Sequence, residues 1–266
     1  MFLPLKDALP TLRGSWVTWL LIAVNVAVYL VGLTPADTQA QGSTRKVSKH
    51  ALWVAEYGAV PCEITGKCAN QPGAVVIDGG ILDPSPRTVV AKVDQHAPVL
   101  TLITSMFLHG GIIHLAFNML FLYVYGNNVE NSMHPLGFLA FYLGSGMIAG
   151  FAQALAAGSA TVPTVGASGA IAAVIGAYLY LYPRVKVLTW LIFPIPVFLW
   201  LRAWVVAGVW GLLQFLGTWK SIFAPTTLDG GVAYMAHAAG FAIGLLTIGL
   251  LADRTNPRYA ELYGDE

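Results

Sequence analysis

The chain has 266 residues, 56% of them hydrophobic and only 10% charged, with a formal net charge of +1. Such a composition, with a mean hydropathy of +0.67, excludes an ordinary water-soluble domain, and the near-neutral charge offers nothing to a nucleic-acid partner. It describes a protein that crosses a lipid bilayer several times.

Residues 1–14 carry Lys6 and Arg13 and precede an apolar run from Ser15 to Leu33. That run is long enough for ~30 Å of hydrocarbon and longer than the ~15 residues of a secretory signal core, so it reads as a retained first span. Residues 34–98 form the longest polar stretch, rich in Pro, Gly and charge, expected as a loop with a few local elements and no large core. It holds both cysteines, Cys62 and Cys68, for which a short disulfide on an oxidising face is the favoured reading.

Val99 to Leu108 is apolar but stops at His109-Gly110-Gly111, too soon to cross a bilayer, which suits a partly submerged loop. The second span is predicted from Ile112 to Tyr125, closed at Gly126 by a C-cap glycine before Asn127-Asn128-Val129-Glu130. The third covers Leu136 to Ala157, with Gly144, Gly146 and Gly150 as candidates for close helix contact. Pro163 and Gly166 introduce the fourth, which ends at Tyr182-Pro183-Arg184. In Val187 to Leu216, Pro194 and Pro196 interrupt the first half, and Arg202 would cost ~3 kcal/mol at a bilayer centre. The segment to Leu201 is therefore placed at the interface and the fifth span at Ala203 to Leu216. The sixth runs from Gly231 to Leu251, followed by a polar tail, residues 252–266.

With six crossings, Lys6, Arg13, Arg184, Lys186, Arg254 and Arg258 all fall on one side, the cytoplasmic one by the positive-inside rule. Both termini then lie there and the 34–98 loop lies outside. Spans two, four and six all enter from the outer face. At ~1.5 Å of rise per residue, His114, Asn118, Ser168 and His237 can lie within ~10 Å of that face.

These residues suit acyl transfer. A serine hydroxyl becomes a good nucleophile when a base takes its proton, and an imidazole within ~3 Å is the usual partner. Ser168 and His237 can act as such a dyad; no Asp or Glu falls inside the spans as drawn. An oxyanion needs fixed donors, each worth ~3 kcal/mol of barrier. His114 and Asn118 share a helix face at i and i+4 and can supply them with the Ser168 backbone N–H. Taken singly, each has a plainer reading: a serine between glycines packs helices, His114 or Asn118 bonds to a neighbour, and Gly240 with Gly244 makes a contact motif.

Four ordered motifs then stand out: Met106 to Met119 around His109-Gly110-Gly111 and His114, Gly126-Asn127-Asn128-Val129-Glu130, Gly166-Ala167-Ser168-Gly169, and Ala236-His237-Ala238-Ala239-Gly240. In these, from about Thr101 to Gly244, the chain resembles the rhomboid intramembrane serine proteases, and Arg184 to Thr189 is similar to many bacterial members. The resemblance implies an all-α, polytopic, six-transmembrane-helix bundle, with a catalytic core over residues 99–251 comprising the five spans after the first, in a bacterial-type enzyme of the cell membrane. It implies Ser168 as nucleophile, His237 as general base, and His114 and Asn118 as oxyanion donors. His109, Gly166, Gly169 and Gly240 become structural residues near the site. No metal or cofactor is implied, and the partners are the lipid bilayer and membrane proteins cut in or beside a transmembrane helix near the outer face. One departure concerns Ala172, where some members stack an aromatic ring on the histidine; Tyr178 is too far along to replace it.

Other classes fit less well. A zinc protease needs H-E-x-x-H, whereas no Glu lies between His109 and His114. An aspartyl protease needs two carboxylates in its spans. A transporter or channel with pore-lining histidines would not require Ser168 and would show repeats; a rhomboid-like protein that holds clients without cutting them would not require Ser168 together with His237.

Overall fold

The computed structural model describes residues 2–33, 49–68, 74–77, 89–92, 97–191, 196–223 and 232–253. Arg45, Lys46, Arg87, Pro194, Arg254, Arg258 and nearly all of the 252–266 tail lie outside them. A strand β1 (Phe2–Asp7) precedes helix α1 (Trp16–Gly32). The long polar stretch contributes α2 (Lys49–Tyr57), α3 (Pro61–Thr65) and a hairpin of β2 (Ala74–Ile77) with β3 (Val89–Lys92). Helix α4 (Pro98–Thr104) tightens into a 3-10 turn at Ser105–Phe107. The chain then bends by 83° into the next helical run, as expected of a short apolar segment that turns back.

That run corrects two expectations. Gly126 does not cap a helix: its φ of −63° and ψ of −42° are helical. After α5 (Ile112–Phe121) the helix passes through a π turn (Leu122–Gly126) into α6 (Asn127–Asn131). Glu130 is consequently inside a helix and 2% exposed, which the drawn spans excluded. Its carboxylate accepts from the Val17 N–H at 3.1 Å, and from the Thr18 N–H and hydroxyl at 2.8 Å each. The first N–H groups of α1 have no partner within their own helix, so Glu130 is the cap that α1 lacks locally. A Cβ on Gly126 would lie 3.1 Å from a Thr18 methyl, which explains a glycine there.

Helix α7 (Pro135–Ala157) follows, then α8 (Ser168–Leu181). Every residue of α8 from Gly169 to Tyr178 is buried, so α8 is the axis of the bundle, apolar on all sides as a fully enclosed helix must be. The last helices are α9 (Ala203–Phe223), longer than the run to Leu216 expected for it, and α10 (Tyr234–Leu251). Against α8, α10 packs backbone to backbone. A Cβ on Gly240 would overlap the Gly169 carbonyl, one on Gly244 the Ala173 carbonyl, and one on Gly176 the Phe241 carbonyl. In α7 only some glycines serve contact: Gly150 meets Leu102 and Gly146 meets Met106 of the α4 region, whereas Gly144 faces open space.

The expectation of an all-α chain is also corrected. Between α8 and α9 the segment Val187 to Leu201 forms β4 (Lys186–Leu191) and β5 (Val197–Arg202), and β1 adds to them in an antiparallel sheet of order β1-β4-β5. Its β-branched and aromatic residues favour extended backbone. Pro4 sits in edge strand β1 where the register with β4 shifts, a place where a missing N–H is tolerated.

By length and composition, α7 and α10 can each cross a membrane, and the bent stretch from α4 to α6 makes a third if taken as one span; α1 and α8 are shorter apolar helices of 17 and 14 residues. Helix α9 is 21 residues long but carries Gln214, Thr218 and Lys220.

Candidate active site

Helices α5, α8 and α10 begin at one end of the bundle, and the sheet lies at the other. Ser168 is the first residue of α8, and the segment before it is pinned on two sides. Thr164 and Ala59 exchange backbone hydrogen bonds of 2.8 and 3.0 Å, and the Gly166 N–H donates to the Ser105 carbonyl at 2.9 Å. Further back, the Cys62 N–H donates to the Ala160 carbonyl at 3.0 Å and the Thr65 hydroxyl to the Gly158 carbonyl at 2.7 Å. Cys62 and Cys68 are joined in a disulfide. The part of the 34–98 loop around α3 is thus a brace for the segment that leads into Ser168.

Gly166 has a φ of +123°, a region that side chains other than hydrogen rarely adopt. A Cβ there would also lie 2.8 Å from His114 Cε1 and 2.9 Å from His114 Nε2. Both constraints let His114 come up beside the serine. The Gly110 N–H donates to His114 Nδ1 at 3.4 Å, which leaves Nε2, on the Gly166 side, to carry the ring proton and donate. His109 is fully buried with its ring edge-on to His114, 5.2 Å between centroids; it buttresses that ring.

His237 lies in the first turn of α10, and its Nε2 is 2.7 Å from Ser168 Oγ. Gln153 of α7 accepts from the Ala236 N–H at 3.2 Å, tying that turn to α7. Asn118, the remaining expected donor, is buried and gives its side-chain amide to the His114 carbonyl at 3.0 Å. Ser168, His237 and His114 are brought together, and Asn118 sits one turn below with its donor engaged in its own helix. Beside the serine, a cavity of about 20 Å³, room for one water, is lined by Ser105, Gly146, Gly150, Gly166, Ser168 and Gly169.

Two neighbours of His237 were not anticipated. Gln214 Oε1 of α9 is 2.9 Å from His237 Nδ1, and the Trp210 ring lies against the imidazole at 5.9 Å and 37°. The aromatic neighbour missing at Ala172 therefore comes from another helix. Ala172 has no room for a ring: it is wholly buried, and a Cβ on Gly240 would come 3.2 Å from its methyl. The signal for Gln214 was present, since an amide alone in the apolar run Gly211 to Leu216 has to find a partner within the bundle.

The family model for the Rhomboid domain matches residues 96–254. The chain belongs to the rhomboid family, which implies a polytopic membrane protein. Among curated proteins it is similar to Rhomboid protein 1, mitochondrial, of Saccharomyces cerevisiae. The two are 30% identical over 165 residues, which make up 60% of this chain and 44% of the yeast protein. It is also similar to Rhomboid protease GluP of Bacillus subtilis, 42% identical over 79 residues, 30% of this chain and 15% of that protein. The chain spans less than half the length of these relatives. The narrower expectation of a bacterial-type member is not borne out, because the matches include a yeast mitochondrial protein beside the bacterial one.

Proposed function

We propose that the chain is an intramembrane serine endopeptidase that cuts the transmembrane segments of other membrane proteins. The observation that carries this reading is the 2.7 Å approach of His237 Nε2 to Ser168 Oγ, within the reach that proton transfer needs. One relative, GluP, is named a rhomboid protease. In this reading Ser168 Oγ attacks the scissile carbonyl while His237 takes its proton. The oxyanion meets the N-terminal end of α8, where backbone N–H groups of the first turn are without helical partners, and the Nε2–H of His114. Asn118 joins as a donor once its amide turns from the His114 carbonyl. The imidazolium returns the proton to the leaving amine, and the same base then activates a water against the acyl-enzyme. The cavity beside Ser168 suits that water.

The scissile segment must be extended, since a regular helix holds its carbonyls in its own hydrogen bonds. Substrates with small, helix-weakening residues near the outer end of their span fit this requirement. No metal or cofactor takes part. Six crossings, formed by α1, the α5–α6 run and α7 to α10, with the N-terminus and tail on the cytoplasmic side, put the site near the outer face; residues 99–251 form the catalytic core, preceded by the outer 34–98 loop.

Detergent-purified protein incubated with a tagged transmembrane substrate of that kind should yield two fragments, and the Ser168→Ala variant none. Equal cleavage by Ser168→Ala would overturn the assignment.

A further inference from the structure

Among the described residues, Gln214 is the only side chain hydrogen-bonded to His237 Nδ1, at 2.9 Å. A glutamine can offer either its oxygen or its nitrogen, and the surroundings decide which. Its Nε2 lies 3.4 Å from the Trp210 carbonyl, one turn back on α9. A carbonyl only accepts, so the NH₂ is directed there and the oxygen faces the imidazole. An oxygen at Nδ1 requires a proton on Nδ1, which leaves Nε2 as the bare acceptor that the Ser168 hydroxyl needs 2.7 Å away.

The helix that carries Gln214 is held in register. The ring of Phe241 lies against Trp210 at 6.1 Å and Phe215 at 6.4 Å, and Gly211 leaves it room: a Cβ there would come 2.6 Å from the ring. Trp210 and Gln214, at i and i+4 on α9, face α10 together and grip His237 by ring and by amide.

We infer that Gln214 is a positioning residue that works through His237, the neutral third member of a Ser168–His237–Gln214 chain that sets the tautomer and angle of the imidazole. The inference rests on the protease reading above. It adds that α9 completes the site, since Gln214 and Trp210 both come from it.

The test compares Gln214→Met, similar in size without the amide oxygen, with Gln214→Glu, which keeps an oxygen in place. Turnover of the transmembrane substrate should fall at least about tenfold in Gln214→Met with KM within about twofold, and Gln214→Glu should recover most of it. Nitrogen-15 spectra of the histidine-labelled chain, with His237 assigned by its loss in His237→Ala, should show the Nδ1–H tautomer, replaced by a mixture in Gln214→Met. A proton on Nε2 in the unaltered protein would overturn the inference, as would full turnover in Gln214→Met or failure of Gln214→Glu to recover it in folded protein. The nitrogen measurement does not depend on turnover, so it stands apart from the Ser168→Ala test of the protease reading.

Discussion

Gly240 of α10, three residues after His237, rests directly on the backbone carbonyl of Gly169 in α8, one residue after Ser168. The two helices touch at the level of the candidate dyad, so the distance between hydroxyl and imidazole is set by how closely two backbones can approach. Gly240→Val is therefore expected to push the dyad apart. Overpacking of this kind costs about 1–3 kcal/mol, and proteolysis should fall by more than the loss of folded protein accounts for. Parallel measurement of thermal unfolding in detergent and of substrate turnover checks both effects.

Gly166→Ala combines a strained φ with a clash against His114. A side chain held in such a backbone region costs about 1–3 kcal/mol. If His114 donates to the oxyanion, displacing it should lower kcat by about 10²-fold or more, the worth of one such donor. Thermal unfolding and steady-state kinetics separate the two, and unchanged kcat would remove His114 from the donor set.

Glu130→Ala strips the cap from α1 and leaves the N–H groups of Val17 and Thr18 buried without acceptors. Charge-assisted bonds of this kind contribute about 1.5–3 kcal/mol each, so a fall in unfolding temperature of several degrees is expected. The approach of His237 to Ser168 lies at the far end of the bundle, so any folded fraction should keep its rate of labelling by a serine-directed probe.

Replacing Cys62 and Cys68 with alanine opens a short loop, whose closure is worth about 2 kcal/mol in the chain-entropy account. The region around α3 braces the segment before Ser168, so the loss should reach the site. Reduced thermal stability with a several-fold lower turnover is expected, and treatment of the unaltered protein with a reductant should reproduce it.

Hydropathy located α7 and α10 well, because a run long enough to bury its backbone in lipid has few ways to disguise itself: both begin and end within a few residues of the expected runs. Gly126 misled because a glycine before polar residues has the form of a C-cap. Those polar groups, Glu130 and Asn131, instead bind the N-terminal stretch more than a hundred residues earlier, Asn131 Oδ1 accepting from Arg13 N–H at 2.8 Å. The strand β1 was invisible for the same reason, since its partner β4 lies far along the chain. At the site, the motifs pointed to Ser168, His237 and His114, whose proximity depends on small residues that the sequence displays. Gln214 and Trp210 depend on how α9 is turned against α10, a rotation that composition does not encode.

The central claim is that Ser168 is a nucleophile activated by His237. Purified protein treated with a fluorophosphonate probe should take up one label per chain, with none in Ser168→Ala and severely slowed uptake in His237→Ala. Labelling of Ser168→Ala at the rate of the unaltered protein would contradict it.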